Sequence, residues 1–104
     1  VNINKLYNIV DWQNEIPIGN IRPDAFAYIE DNSIIFPVFI EVHLNNKFDF
    51  EKYKKLKQEF DFKLLFKFTP RVIICTDQEL NIPKIGYIFR IVNTDMSGIN
   101  KIFK

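Results

Sequence analysis

Two acidic residues and a histidine stand where a strand pattern would bring them together. Asp24 follows a proline at the start of one apolar segment, and Glu41 and His43 lie near the end of the next. Side chains two positions apart on a strand point to the same face, so Glu41 and His43 are expected to project together. If the two segments pair antiparallel, Asp24 lies near Glu41. Two carboxylates at that point repel each other unless a divalent cation lies between them, which favours a metal site.

The segments that carry these residues are predicted to form a β-hairpin. Residues 25–30 are rich in aromatic and strand-forming types, and 31–33 have turn chemistry. Residues 34–44 form a long, nearly continuous apolar run, which is typical of a central, buried strand. A carboxylate buried there is costly unless it is paired or bound to a metal, so Glu41 is expected to have a partner.

After the hairpin the apolar period changes to that of a helix. A spacing of three, three and four predicts one amphipathic helix within 45–60, with these apolar positions: Phe50, Tyr53, Leu56 and Phe60. Asn46 or Asp49 is the expected N-cap. The helix could continue toward Phe66, and Pro70 stops it.

The remaining elements are less uniform in their signals. Residues 71–76 predict a short strand of the parallel-sheet type, and 87–92 predict another strand. Near the N-terminus, a short helix over 4–15 and a strand over 6–12 are both consistent with the pattern, followed by a turn at Gly19 and Asn20. We therefore expect an α/β domain with a mixed central sheet, in which a β-hairpin is followed by an amphipathic helix and further strands.

Pro23-Asp24 followed by Glu41-Val42-His43 resembles the PD-(D/E)xK nuclease superfamily. Its signature is Pro-Asp on one strand and Glu-x-Lys on the next, followed by a helix and further strands. The stretches RPDA at 22–25 and FIEV at 39–42, and the helix with Tyr53, look like the replication-relaxation family of plasmids and other mobile elements. Trp12 and Glu15 fit the W-x-x-E pattern that precedes the RPD segment in some of those proteins. The resemblance implies a restriction-endonuclease-like fold.

The same resemblance implies a magnesium site, with manganese as a substitute. Asp24 and Glu41 would hold the ion and Glu15 would be a third acid, while the ion polarises the scissile phosphate and activates a water. His43 stands where the lysine is expected. A neutral imidazole can bind a metal or act as a general base near neutral pH, but it does not reproduce a permanent positive charge.

Three functional hypotheses remain open. The first is a magnesium-dependent deoxyribonuclease of a plasmid or phage protein, with Asp24, Glu41 and His43 as catalytic residues. The second is a catalytically degenerate domain that binds DNA or protein in replication or transcription control. The third is an interaction module in which the acids are structural: Asp24 would serve a turn or cap, and Glu41 would pair with Lys47 or Arg22.

Lysines concentrate around the predicted helix. Between positions 43 and 67 there are seven lysines and four acids. One interpretation is a solvated helix face with pairs such as Glu51 and Lys55. The other is contact with DNA phosphates. The candidate DNA-binding residues are Arg22, Lys47, Lys52 and Lys55.

Composition sets the broad class. The chain has 104 residues, 47% of them hydrophobic, and a net charge of +1, which predicts one domain spanning 1–104. We expect it to be cytoplasmic and without membrane association, and it could be a fragment of a longer protein because it starts at Val1. A Phe-rich surface could support a homodimer, and the resemblance implies an adjoining winged-helix domain.

Several chemistries are excluded by what the sequence lacks. It has no glycine-rich phosphate loop and no nucleophile elbow, which argues against kinase, hydride-transfer and acyl-transfer chemistry. A single histidine rules out a two-histidine metal site within one chain. Cys75, the only cysteine, lies among apolar residues and is predicted to be an inert core thiol.

Overall fold

A five-stranded mixed sheet organises the chain. The computed structural model describes residues 7–44, 48–59, 66, 69–95, 97–99 and 103. Along these ranges the elements are β1 (Asn8–Asn14), β2 (Ala25–Asp31), β3 (Ile34–Val42), α1 (Glu51–Glu59), β4 (Arg71–Cys75) and β5 (Phe89–Val92). The strands lie in sequence order across the sheet. Strand β2 runs antiparallel to both of its neighbours, β1 and β3, whereas β3, β4 and β5 run parallel.

This arrangement confirms the predicted α/β class with a mixed sheet, a hairpin and a helix after the hairpin. Strand β3 is the third of five, which is the central position expected from its apolar run. A parallel pair cannot be joined by a tight turn, so the chain passes through α1 between β3 and β4.

The β2–β3 hairpin forms because its two-residue loop accepts positive φ angles. Asn32 and Ser33 have φ angles of 51° and 66°. Loops with both central residues at positive φ match the twist of the flanking strands. The pairing then runs from Asp31 opposite Ile34 to Ala25 opposite Ile40. This register determines which residues meet at the open end of the hairpin.

The ambiguous N-terminal segment is a strand rather than a helix. Strand β1 pairs antiparallel with β2, and Asn14 lies opposite Ala25. The register shifts between Ile9 and Asp11, which is a bulge or irregularity. The predicted turn at Gly19 and Asn20 is confirmed by a bridge between Ile18 and Ile21, and Gly19 has a φ of 57°.

Helix α1 packs on one face of the sheet. Its first turn is capped by Asp49, whose Oδ1 accepts the N–H of Glu51 at 3.0 Å. Tyr53 and Leu56 are fully buried against sheet residues that include Phe39 and Val72. The predicted continuation through 60–65, with Phe60, lies outside the described residues. The predicted N-cap Asn46 lies outside them as well.

The opposite face of the sheet carries a second apolar cluster, formed by Ala27, Ile29, Val38, Ile73 and Val92. Strand β5 is shorter than predicted and begins at Phe89 rather than at position 87. In the described part of the chain, no helix is long and apolar enough to cross a membrane.

Candidate functional site

The register of the β2–β3 hairpin sets Asp24 against Glu41. Ala25 pairs with Ile40, so the next position toward the open end places Asp24 opposite Glu41. Glu41 shares the α1 face of β3 with Phe39, whereas Asp24 lines a cavity together with Ile40 and Ile73, which belong to the cluster on the opposite face. Asp24 is exposed, and its Oδ2 accepts the backbone N–H of Val42 at 2.7 Å. The hairpin therefore brings the two acids to neighbouring positions.

Glu41 is buried and fully engaged by α1. Its exposed fraction is only 7%. Oε1 lies 3.0 Å from the Nζ of Lys52, and Oε2 accepts a hydrogen bond from the hydroxyl of Tyr53. These two donors satisfy a carboxylate that would otherwise be costly to bury. The ion-pair partner among the described residues is thus Lys52 and not Arg22, and the other suggested partner, Lys47, lies outside the described residues.

The position of α1 explains this partnership. The helix begins nine residues after β3 ends and returns the chain toward β4. Its first turn consequently lies beside the carboxyl end of β3, where Glu41 stands. Lys52 and Tyr53, both in that turn, reach the two oxygens of one carboxylate.

Lys52 is held in a defined place by aromatic rings. Its Nζ lies 5.3 Å from the ring centroid of Phe48 and 5.5 Å from that of Tyr53. Such contacts attract a cation to the ring face. The Lys52 side chain is 28% exposed. The result is a positioned ammonium group beside Glu41, which His43 could not provide as a permanent charge.

Tyr53 is a neutral hydrogen-bond donor to Glu41. It is completely buried, and this burial raises the pKa of its phenol far above the usual value, with the negative charge of Glu41 acting in the same direction. Its backbone carbonyl accepts a hydrogen bond from the Tyr87 hydroxyl at 2.7 Å. Burial also raises the pKa of Tyr87. The bond from the Tyr87 hydroxyl anchors α1 to the segment before β5, and the bond to Glu41 anchors it to β3.

His43 lies just past the end of β3. Its backbone N–H donates to the carbonyl of Cys75 at 2.9 Å, which continues the parallel pairing by one step. Its half-buried ring meets Phe48 edge-on, with ring centroids 5.3 Å apart. Phe48 therefore contacts both His43 and Lys52, and the two groups belong to one cluster.

Glu15 lies beside Asp24 through its backbone. Its N–H donates to the Asp24 carbonyl at 3.1 Å, one step beyond the pairing of Asn14 with Ala25. The backbones of Glu15, Asp24 and Glu41 thus follow one another across three strands. Glu15 is exposed and has a φ of 50°, so its side chain does not follow the strand alternation. In the described ranges, no three His, Cys, Asp or Glu side chains are grouped to hold a metal ion.

Of the other predicted DNA contacts, the described ones, Arg22 and Lys55, form no ion pair with Glu41. Arg22 and Lys55 are exposed, and Lys47 lies outside the described residues. Between described residues, Lys52 and Glu41 form the one ion pair, so the suggested pair of Glu51 with Lys55 is not formed there. The ammonium of Lys52 contacts Glu41, whereas Lys55 is exposed and forms no ion pair with another described residue.

Asp24 and Glu41 are the two acids at this end of the sheet to be compared with the needs of a magnesium ion. Mg²⁺ is commonly held through one or two carboxylates, with waters and substrate phosphates completing its shell. A carboxylate offers about four acceptor positions, and Glu41 uses one on each oxygen within the chain. Asp24 is exposed to solvent beside it. Carboxylates are the donor type that Mg²⁺ takes, so Asp24 and Glu41 would be the protein ligands of such an ion, although α1 already supplies a donor to each oxygen of Glu41.

Comparison of the chain with protein-family models, curated proteins and solved structures gives no match. Its function is therefore inferred from its own residues and their geometry.

Proposed function

We propose that this chain is a nuclease-like DNA-processing domain of a mobile-element protein, with a restriction-endonuclease-like fold. Asp24, Glu41 and Lys52 form its reaction centre. The observation that carries the proposal is the 3.0 Å contact between the Lys52 ammonium and Glu41, at the sheet end where the hairpin register sets Asp24.

Each residue of the centre has a distinct task in phosphodiester hydrolysis. Asp24 and Glu41 hold Mg²⁺, which when bound polarises the phosphate and lowers the pKa of a water. Lys52 contributes a fixed positive charge where negative charge develops on the phosphate. His43 is close enough to the cluster, through Phe48, to help to position water or the ion. Lys52 therefore takes the part that the motif assigns to a lysine at position 43.

The order of elements supports the finer fold assignment. Three antiparallel strands are followed by a helix and by a strand parallel to the third. The superfamily resemblance implies a hairpin bearing the two acids, a helix and then further strands. Glu41 stands where β3 meets α1, and Asp24 precedes β2 at the same end of the sheet.

A second function is favoured by the complete pairing of Glu41. Both of its oxygens already have donors within the chain, and its charge is matched by Lys52. A carboxylate of this kind is stable without a metal. The alternative is therefore a catalytically degenerate domain that keeps the fold and binds DNA or protein in replication or transcription control.

Nicking of supercoiled plasmid in the presence of Mg²⁺ or Mn²⁺ distinguishes these functions. The wild-type chain is compared with Glu41→Gln, Asp24→Asn and Lys52→Met, and with Glu79→Gln, which changes an exposed acid outside the site. We expect nicking by wild type and Glu79→Gln and a decrease of about 100-fold or more in the three site variants.

Two results would contradict the nuclease proposal. One is the absence of metal-dependent nicking by the wild-type chain, which favours the degenerate domain. The other is equal nicking by wild type and all site variants, which would assign the activity to a contaminant.

A further inference from the structure

A basic pocket lies beside α1, on the flank away from Lys52. Its volume is about 420 Å³, and it is lined by Lys54, Lys57, Gln58, Lys84 and Ile85. Because a helix turns once in about 3.6 residues, the buried positions 53 and 56 lie between the flank of Lys52 and the flank of Lys57. The acid pair and the pocket are therefore on opposite sides of one helix.

The pocket joins residues that are distant in the chain. Lys54 and Lys57 are one turn apart on α1, while Lys84 comes from the segment between β4 and β5. All three lysines are exposed. The Tyr87 hydroxyl, bonded to the carbonyl of Tyr53, holds that segment against the helix.

Lys57 is fixed by a close backbone approach at Gly86. Its Nζ donates to the Gly86 carbonyl at 2.8 Å and lies 5.8 Å from the centroid of the Tyr87 ring. Gly86 has a φ of +90°, and a Cβ at this position would lie 1.9 Å from Nζ of Lys57. Glycine at position 86 thus allows both the turn and the placement of the ammonium.

The lining of the pocket is positively charged. Its lining contains three lysines and no acid. None of the three forms an ion pair with another described residue, since that part of the chain holds only the pair of Lys52 and Glu41. Like charges gathered in one concavity raise the local potential and attract an anion.

We propose that this pocket binds a backbone phosphate of duplex DNA, through Lys54, Lys57 and Lys84. Lysine binds phosphate as a compact point charge, and such interactions fix the position of the duplex without reading its sequence. The proposal rests on the proposed function in taking DNA as the partner. The proposed DNA-binding lysines differ from Lys52 and Lys55, the helix lysines that the sequence predicted for this role. The bound phosphate would lie on the side of α1 opposite Lys52 and Glu41.

Salt-dependent binding of a fluorescent duplex, measured by anisotropy in EDTA, tests this pocket. Losing the contact to one phosphate should decrease the magnitude of the slope of log K against log salt by about 0.9. Since the three lysines bind one phosphate, we expect this full decrease in the triple variant Lys54→Gln/Lys57→Gln/Lys84→Gln and a smaller one in each single variant. Lys54→Gln and Lys55→Gln form a matched pair, because they remove one charge each from neighbouring exposed helix positions; only the former should lower the slope.

Gly86→Ala provides a test that keeps the charge. It should weaken DNA binding by displacing Lys57, and thermal melting establishes that the variant is folded at the assay temperature. The proposal is overturned if the triple variant keeps the wild-type slope, or if Lys55→Gln lowers the slope as much as Lys54→Gln. Saturable binding of inorganic phosphate without DNA binding would also overturn it, by assigning the pocket to a small anion.

The assay separates this proposal from the proposed function. It contains no divalent metal and measures no cleavage, so failure of the acid pair as a reaction centre leaves the salt slopes unchanged. Conversely, metal binding by Asp24 and Glu41 can be measured without DNA, so failure of the pocket leaves that result intact.

Discussion

The ammonium of Lys52 lies 3.0 Å from Oε1 of Glu41, which joins the first turn of α1 to the end of the central strand. The interaction neutralises a carboxylate that is only 7% exposed. Because Tyr53 donates to the other oxygen, two adjacent helix residues hold one buried acid. This arrangement accounts for the presence of an acid at the end of an otherwise apolar strand.

Removal of the cation should destabilise the fold. In Lys52→Met the Glu41 carboxylate stays buried without its charged partner, and we expect the free energy of unfolding to fall by about 1–3 kcal/mol. Urea denaturation measures this change. Lys55→Met is the matched control, since Lys55 is exposed, and it should alter stability by less than about 0.5 kcal/mol.

A double variant shows whether the destabilisation comes from the unpaired charge. Lys52→Met/Glu41→Gln removes the charge together with its partner and should be more stable than Lys52→Met alone. Equal stability of Lys52→Met and wild type would show that the ion pair does not support the fold.

Alkaline pH should lower the free energy of unfolding through the buried phenol of Tyr53. Its folded pKa is raised by burial above the unfolded value of about 10. Below that pH the Tyr53 phenol is protonated in both the folded and the unfolded chain, so the stability that its buried hydrogen bond contributes is fully present. As pH rises further the unfolded state ionises first, so the free energy of unfolding falls by about 1.4 kcal/mol per pH unit for this group.

Urea denaturation at about pH 9, 10 and 11 measures this dependence. Tyr53→Phe should lose stability less steeply than wild type above pH 10. The pKa of Tyr87 is raised as well, so Tyr53→Phe/Tyr87→Phe should show a still smaller slope. Parallel curves for wild type and Tyr53→Phe would contradict the assignment of a buried, neutral phenol.

The single thiol should react slowly in the folded chain. Burial raises the pKa of Cys75, and the negative charge of Asp77 adds to the effect. Since the thiolate is the nucleophile, alkylation by iodoacetamide near pH 8 should be at least about 5-fold slower in the native chain than in urea. Mass spectrometry of timed samples measures both rates, and equal rates would contradict this prediction.

The elements that position the site were largely predictable because their signals are local. A polar two-residue loop between apolar runs predicts the hairpin, and Asn32 and Ser33 adopt the positive φ angles it needs. The apolar spacing predicts α1, where Tyr53 and Leu56 are buried. Strand β1 gave no clear period because it is an edge strand whose residues are exposed or only half-buried.

The interactions within the site depend on packing that the sequence does not encode locally. The hairpin register places Asp24 and Glu41 at the same end of the hairpin, which the sequence pattern predicts. The sequence does not predict Lys52 as the partner of Glu41, because this contact depends on where α1 begins relative to β3. Similarly, the left-handed backbone of Glu15 and the return of Lys84 to α1 have no signature in residue spacing.

Calorimetric titration of Mn²⁺ or Mg²⁺ into the metal-free chain measures whether Asp24 and Glu41 hold a divalent ion. We expect saturable binding of about one ion per chain to wild type and Glu79→Gln, and its absence in Asp24→Asn and Glu41→Gln. Circular dichroism of each variant establishes that it is folded. No saturable binding to wild type, or unchanged binding in both acid variants, would contradict this expectation.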